Sequence, residues 1–325
     1  MRHPYLLAAL ATVALLPAGA SAQHMDHAAH AQTMGRLNPM ITLMEQGKPV
    51  FGLYAPAARP RGASPDTPGK SPAELAAETL GFPRSDFVFD GSMEYGVEQG
   101  LPPFKAFVAA LQAAGATTRT SPLVVKMTEI APDPAAAQRY IAQQLNTGVS
   151  TIMFVGVESA DEVRTGLAAM RFRSHGGTRP DDIGAAPAYW GVSESEYRAK
   201  ADLWPLNPEG ELVNWTIVES KEGLAHVREI AAVEGIGVLW PGAGTLRQVF
   251  SSTDANGQRV LDAEAWENAI QTVLAACKEF EVPCGYPANA DDIEMRMAQG
   301  FSVFVMGWGE RGFETIDIGR RASGR

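Results

Sequence analysis

Lys126, Glu219 and Tyr95 each stand at or just beyond the end of a short apolar run. Lys126 closes Pro122-Leu123-Val124-Val125-Lys126, Glu219 closes Val213–Glu219, and Tyr95 follows Asp90 and Glu94 after Asp86–Asp90. A cation, a carboxylate and a phenol facing one cavity can hold an organic acid, stabilise a developing oxyanion and move a proton. Trp240, Thr245 and Trp308 end or follow two further runs and would add walls to such a cavity, the tryptophans favouring a flat group by stacking. Each residue also has a plainer reading. Lys126 can simply neutralise Glu94 or Glu219, and Tyr95 can be a packed aromatic whose hydroxyl finds a backbone partner. Glu219 is the hardest of the three to explain structurally, because a carboxylate ending an apolar strand is costly without a partner.

These side chains meet only if a fold gathers the strand ends. β-Branched and aromatic runs predict eight strands: Pro49–Ala55, Asp86–Asp90, Pro122–Met127, Thr151–Val157, Val213–Glu219, Gly235–Pro241, Val282–Pro287 and Phe301–Trp308. Helical patterns lie between them at Pro72–Leu80, Phe104–Ala114, Pro134–Leu145, Ala160–Met170, Lys221–Ala231, Asp262–Phe280 and Ala290–Ala298, with a last one after Glu310. The strands are almost uninterrupted in apolar content, as a parallel sheet covered on both faces requires. Eight βα units in one chain of 325 residues predict a single (β/α)8 TIM barrel, with an open doubly wound sheet as the alternative. The first strand is followed by no Gly-x-Gly-x-x-Gly, so no nucleotide cofactor is expected. Pro56–Ser71 and Arg173–Pro208 break the rhythm and read as long loops.

Residues 1–22 read as an export signal, with Arg2, the apolar run Leu6–Leu16 and the small-residue site Ala20-Ser21-Ala22. Residues 23–37 read as a disordered tail carrying His24, His27 and His30, three imidazoles able to hold a transition metal loosely. Residues 38–325 form the barrel domain. The expected location is periplasmic or secreted, with no membrane attachment once the signal is removed. Cys277 and Cys284 either close a small loop as a disulfide or pack as two buried thiols. A net charge of −10 disfavours nucleic acid, which needs a basic face to release counterions.

The ordered set Asn38-Pro39, Gly47-Lys48-Pro49-Val50-Phe51-Gly52-Leu53, Ser92-Met93-Glu94-Tyr95-Gly96, Pro122–Lys126, Ser159-Ala160-Asp161-Glu162-Val163, Ile217-Val218-Glu219-Ser220-Lys221-Glu222-Gly223-Leu224 and Val233-Glu234-Gly235-Ile236 resembles the HpcH/HpaI aldolase and citrate lyase β-subunit family. The likeness runs from about residue 38 to the C terminus and includes Arg171-Phe172, Arg179 and Tyr189-Trp190-Gly191-Val192. It implies a phosphoenolpyruvate/pyruvate-aldolase-like barrel, a small organic acid as substrate, assembly as a homo-oligomer, and carbon–carbon bond cleavage beside a pyruvate enolate. It also implies a divalent metal, Mg²⁺ or Mn²⁺, acting as the Lewis acid that stabilises the enolate.

Carried over residue by residue, the resemblance gives Glu219 the place of the metal-binding Glu. Trp240-Pro241-Gly242-Ala243-Gly244-Thr245-Leu246 aligns with the family's Gly-Pro-Gly-Asp-Leu turn and puts Thr245 where the second metal carboxylate stands. Tyr95 replaces the catalytic His and Lys126 the Arg. A lone carboxylate beside a hydroxyl is a poor shell for a hard cation, so metal binding is expected to be weak or lost unless Asp90, Glu94 or Asp254 substitutes. Two readings follow. In one the chain is an aldolase-type lyase in which Lys126 pairs a substrate carboxylate or forms a Schiff base and Tyr95 moves the proton. In the other it is a catalytically inactive barrel that binds a small organic acid or aromatic ligand.

Overall fold

The computed structural model describes residues 35–59, 62–64 and 66–325. The export signal and the three histidines of the expected tail lie outside the described residues. The compact unit begins at Arg36, slightly before the expected boundary at residue 38. Leu37 is buried, and Arg36 pairs with Glu45 and, at 3.7 Å, with Glu211. Helix α1 (Pro39–Glu45) starts where Asn38 accepts a hydrogen bond from the Met40 amide and Pro39 supplies a preset φ.

Eight parallel strands follow in chain order: β1 (Val50–Tyr54), β2 (Val88–Asp90), β3 (Leu123–Lys126), β4 (Thr151–Phe154), β5 (Leu212–Val218), β6 (Val238–Pro241), β7 (Gly285–Tyr286) and β8 (Val303–Met306). Each pairs with its successor from β1 to β6, β7 pairs with β8, and β8 pairs with β1. Between β6 and β7 there is a single parallel bridge, Leu239 to Cys284, with the Leu239 amide donating to the Pro283 carbonyl at 2.9 Å.

The connections are helical: α2 (Pro72–Leu80), α3 (Val97–Ala113), α4 (Pro134–Leu145), α5 (Ala160–Met170), α6 (Ala186–Trp190), α7 (Glu194–Lys200), α8 (Lys221–Ala225), α9 (Val227–Ala231), α10 (Ala243–Val249), α11 (Ala263–Glu279), α12 (Ile293–Gln299) and α13 (Glu310–Ala322). Side-chain caps start several of them. Ser71 and Glu74 form a reciprocal capping box on α2, and Ser159 and Ser220 cap α5 and α8 immediately after Glu158 and Glu219. Helix α3 starts seven residues earlier than its sequence pattern suggests. Pro102 and Pro103 lie inside it, although a proline ordinarily marks a helix's first turn.

Arg173–Pro208 is not the plain loop expected. It carries α6, α7 and a two-residue strand, Leu203–Trp204, paired with the start of β5. A short hairpin, Ser251–Thr253 with Arg259–Leu261, follows α10.

Alternation along the strands divides the apolar residues into two clusters. Phe51, Leu53, Ile152 and Phe154 pack outward under the helices. Val50, Phe87, Phe89, Val124, Met153, Trp215, Ile217, Trp240 and Val305 form an inner cluster, joined by Met40 and Ile41 of α1. Two glycines make room for the largest inner rings. A Cβ on Gly52 would lie 2.2 Å from the Phe87 ring, and one on Gly285 1.7 Å from the Trp240 ring. Cys277, in the last turns of α11, is disulfide-bonded to Cys284 just before β7, with 5.7 Å between their Cα atoms. That settles the choice between a disulfide and two thiols.

Candidate active site

The two-residue period that turns Val124 inward also turns Lys126 inward, and the one that turns Trp215 and Ile217 inward carries on to Glu219. Both side chains therefore arrive at the C-terminal ends of β3 and β5. They line one cavity of about 180 Å³ together with Tyr54, Trp240, Thr245 and Pro287. Its floor is apolar, formed by Phe89, Met153, Ile217 and Val305. Trp240 is buried and stacks on Trp215, with ring centroids 5.3 Å apart and an interplanar angle of 12°.

Lys126 donates from Nζ to Glu94 Oε1 at 2.9 Å. Burial works against its charge, but the hydrogen bond and charge of Glu94, aided by Tyr54 and Glu219, outweigh burial and raise its pKa above the ordinary lysine value. At neutral pH it is an ammonium ion. The Schiff-base role considered from the sequence would need the neutral amine. Tyr54 packs edge-on against Phe89, centroids 4.6 Å apart. Burial raises its pKa, and the nearby Lys126 charge only partly offsets this. It is therefore a hydrogen-bond donor throughout the neutral range.

Glu219 Oε1 accepts from the Gly156 amide at 3.0 Å. On its other side the β6–α10 turn presses close: a Cβ on Gly242 would lie 2.4 Å from Glu219 Cβ and 2.7 Å from Oε2. The backbone can approach the carboxylate only because residue 242 has no side chain.

Two sequence-predicted residues are not in this cavity. Tyr95 is 91 % exposed. The turn Ser92–Tyr95 directs Glu94 inward to Lys126, and its next residue points to solvent. Trp308 lines a separate depression with Leu53 and Phe82 and packs edge-on against Phe313, centroids 5.1 Å apart. Tyr286 also faces away, with the Arg296 guanidinium 4.5 Å from its ring centroid. Tyr54, the last but one residue of the expected first strand Pro49–Ala55, takes the inward position that Tyr95 does not occupy. The signal was available: Tyr54 follows Val50 and Gly52 at the inward spacing.

The residues present do not suit a divalent cation. Among the described residues Glu219 is the one carboxylate lining the cavity, and one of its oxygens is engaged by Gly156. Thr245 offers a neutral hydroxyl, and Lys126 places a positive charge in the same space. The three substitutes considered are committed elsewhere. Glu94 pairs with Lys126, Asp90 accepts from the Ser92 amide and hydroxyl, and Asp254 Oδ1 accepts from the Asn256 and Gln258 amides in the hairpin turn. Among the described residues, no group of three or more His, Cys, Asp or Glu is placed to share an ion.

Comparison with known proteins agrees with this architecture. A model of the HpcH/HpaI aldolase/citrate lyase family matches residues 105–308. A hydroxypyruvate/pyruvate aldolase of Delftia acidovorans is 26 % identical over 269 residues, covering 82 % of this chain and 85 % of that protein. The crystal structure of a family protein from Burkholderia cenocepacia J2315 superimposes with a TM-score of 0.62 at 20 % identity, over 83 % of this chain and 92 % of that one. The HpcH/HpaI aldolase of Desulfitobacterium hafniense DCB-2 gives 0.56 at 15 % identity, over 82 % and 89 %. At such identities the two structures speak to the fold alone.

Proposed function

The chain belongs to the HpcH/HpaI aldolase/citrate lyase family, and from that premise we propose that it is an aldolase-type carbon–carbon lyase working on a 2-oxo acid between Lys126 and Glu219. One observation carries the reading: an ammonium and a carboxylate, on strands separated only by β4, line the same cavity over an apolar floor. The hydroxypyruvate/pyruvate aldolase relative supports a small 2-oxo acid as the substrate class.

In the cleavage direction, Glu219 takes the proton of the 4-hydroxyl group. The C3–C4 bond breaks, C4 leaves as a carbonyl, and the electron pair passes into the enolate of the 2-oxo acid. Lys126 pairs with the acid's oxygens and stabilises the enolate where it forms. The Tyr54 hydroxyl donates a hydrogen bond to the oxygen on C4, and the proton held by Glu219 returns to C3. The position given to Tyr95 from sequence thus passes to Tyr54, and Glu219 acts as a base in place of a metal ligand. Trp240 and Thr245 close the sides of the cavity.

Two structural readings accompany this one. The eight parallel strands form a (β/α)8 barrel whose last seam is the Leu239–Cys284 bridge, which the single inner apolar cluster supports. The Cys277–Cys284 disulfide supports export of the chain to an oxidising compartment.

The test is release of pyruvate from 4-hydroxy-2-oxopentanoate, with and without EDTA. Turnover that survives the chelator is expected. Pyruvate binding without turnover in either direction would make this a binding protein, and loss of turnover on chelation would mean that a metal is held by donors other than those described.

A further inference from the structure

A second cavity, of about 370 Å³, adjoins the first and shares Tyr54 and Phe89 with it. The Lys126–Glu94 pair forms part of the partition, since Lys126 lines the smaller cavity and Glu94 the larger one. The walls of the second cavity are built from two helices and the connections after β1 and β2. Phe104 and Phe107 come from α3, Leu75 from α2, and Pro56 and Ala57 from the segment after β1. The proposed chemistry uses none of these side chains. The polar side of the chamber is acidic, with Asp90 and Glu94, and burial raises the Asp90 pKa because so little solvent reaches it.

We propose that this chamber is the subsite for the second reactant, and that it selects a neutral aldehyde bearing an aromatic or branched apolar group over an acidic one. The inference rests on the lyase reading and names its carbonyl partner. A 2-oxo acid held by Lys126 and Glu219 presents its C3 toward Tyr54, which with Phe89 is shared by both cavities. In the synthetic direction C3 loses a proton, the C3–aldehyde carbon bond forms, and the aldehyde oxygen takes up a proton. No oxidant or further reactant enters. The substituent on the aldehyde carbon then extends past Tyr54, against Phe104, Phe107 and Leu75. Apolar area buried there favours a hydrophobic group, and Asp90, which Ser92 holds without a compensating charge while Glu94 is already paired with Lys126, disfavours a negative one.

The experiment compares pyruvate condensation with phenylacetaldehyde, acetaldehyde and glyoxylate, and separately measures binding of unreactive 2-phenylethanol by calorimetry. Phenylacetaldehyde is expected to exceed glyoxylate in kcat/KM by roughly tenfold or more. Leu75→Trp, which fills the chamber, should lower the phenylacetaldehyde-to-acetaldehyde ratio by roughly tenfold and remove 2-phenylethanol binding. Ala57→Trp enters the same chamber from an exposed position, so it tests the idea even if Leu75→Trp fails to fold. Turnover with no preference for phenylacetaldehyde, together with no 2-phenylethanol binding, overturns the chamber and leaves the lyase reading intact. Absence of turnover with every aldehyde, together with 2-phenylethanol binding that either variant abolishes, sinks the lyase reading and keeps the chamber as an apolar site.

Discussion

Two cations of this molecule, Lys126 and Arg179, are both removed from bulk water, yet their surroundings differ in kind. Arg179 is 1 % exposed. Its guanidinium lies 4.3 Å from the centroid of the Phe172 ring, and its Nη2 donates to Asn146 Oδ1 and to the Tyr197 hydroxyl, each at 2.9 Å. Among the described residues its Nε and Nη1 have no hydrogen-bond acceptor, and the Phe172 ring face stands in for one. The contacts are short-range, and the Phe172 and Tyr197 rings that enclose the guanidinium are themselves buried. Lys126 is partly exposed, faces a cavity, and holds a carboxylate that is itself at the surface of a second cavity. A cation enclosed by ring faces and neutral acceptors fixes a connection in place, whereas one with a carboxylate partner and open space can exchange part of that partnership for a substrate anion.

The sharpest way to break this contrast is to remove each charge with little change in volume. Lys126→Met should cost about 10²–10³-fold in turnover, the usual loss when one stabilising donor is taken from an oxyanion site, while thermal unfolding shifts little. Arg179→Met should do the reverse. Its loss takes the Arg179 donor from Asn146 Oδ1 and from the buried Tyr197 hydroxyl, which keeps only a long bond to the Leu145 carbonyl at 3.4 Å, and empties the space against the Phe172 ring, a cost of about 2–4 kcal/mol read by denaturant unfolding, while pyruvate affinity of the folded protein holds. If both variants lose activity and stability in parallel, the distinction between the two cations fails.

A finer test concerns pH. Burial alone would lower the Lys126 pKa, and Glu94 is what raises it. A raised lysine keeps its charge through the neutral range and loses it only as pH climbs through the folded-state pKa. Glu94→Gln should therefore move the alkaline limb of kcat/KM to lower pH, leaving any acid limb in place. The same sign holds for stability. The pairing contributes fully below the unfolded lysine value near ~10.4 and fades as pH rises through the folded one. An alkaline limb that does not move would assign it to a group other than Lys126. The smallest effect belongs to Tyr95→Ala, which should stay within about 0.5 kcal/mol of the parent in stability and leave pyruvate release unchanged. A large loss there would mean that Tyr95 folds over bound substrate.

The alternation of strand and helix was legible in the chain because it is local: apolar residues two apart make a covered strand, and those three and four apart make a helix face. The same two-residue period gave Lys126 and Glu219 their inward direction, and it extended to Tyr54, whose role the sequence left open. What it could not give was the orientation of residues beyond regular structure. In the turn Ser92–Tyr95, either Glu94 or Tyr95 could have faced inward, and the choice fell to Glu94 because Lys126, 32 positions away, offered it a charge-assisted hydrogen bond. Trp308 lies two residues past the end of β8, where the period no longer applies, and the neighbouring Phe313 sets its direction. The pairing of Cys277 with Cys284 depended on the end of α11 and the start of β7 meeting at disulfide distance. Composition and period are properties of neighbours along the chain, so sequence alone carries them. Which groups share a cavity depends on partners far apart in sequence, and only the folded chain brings those together.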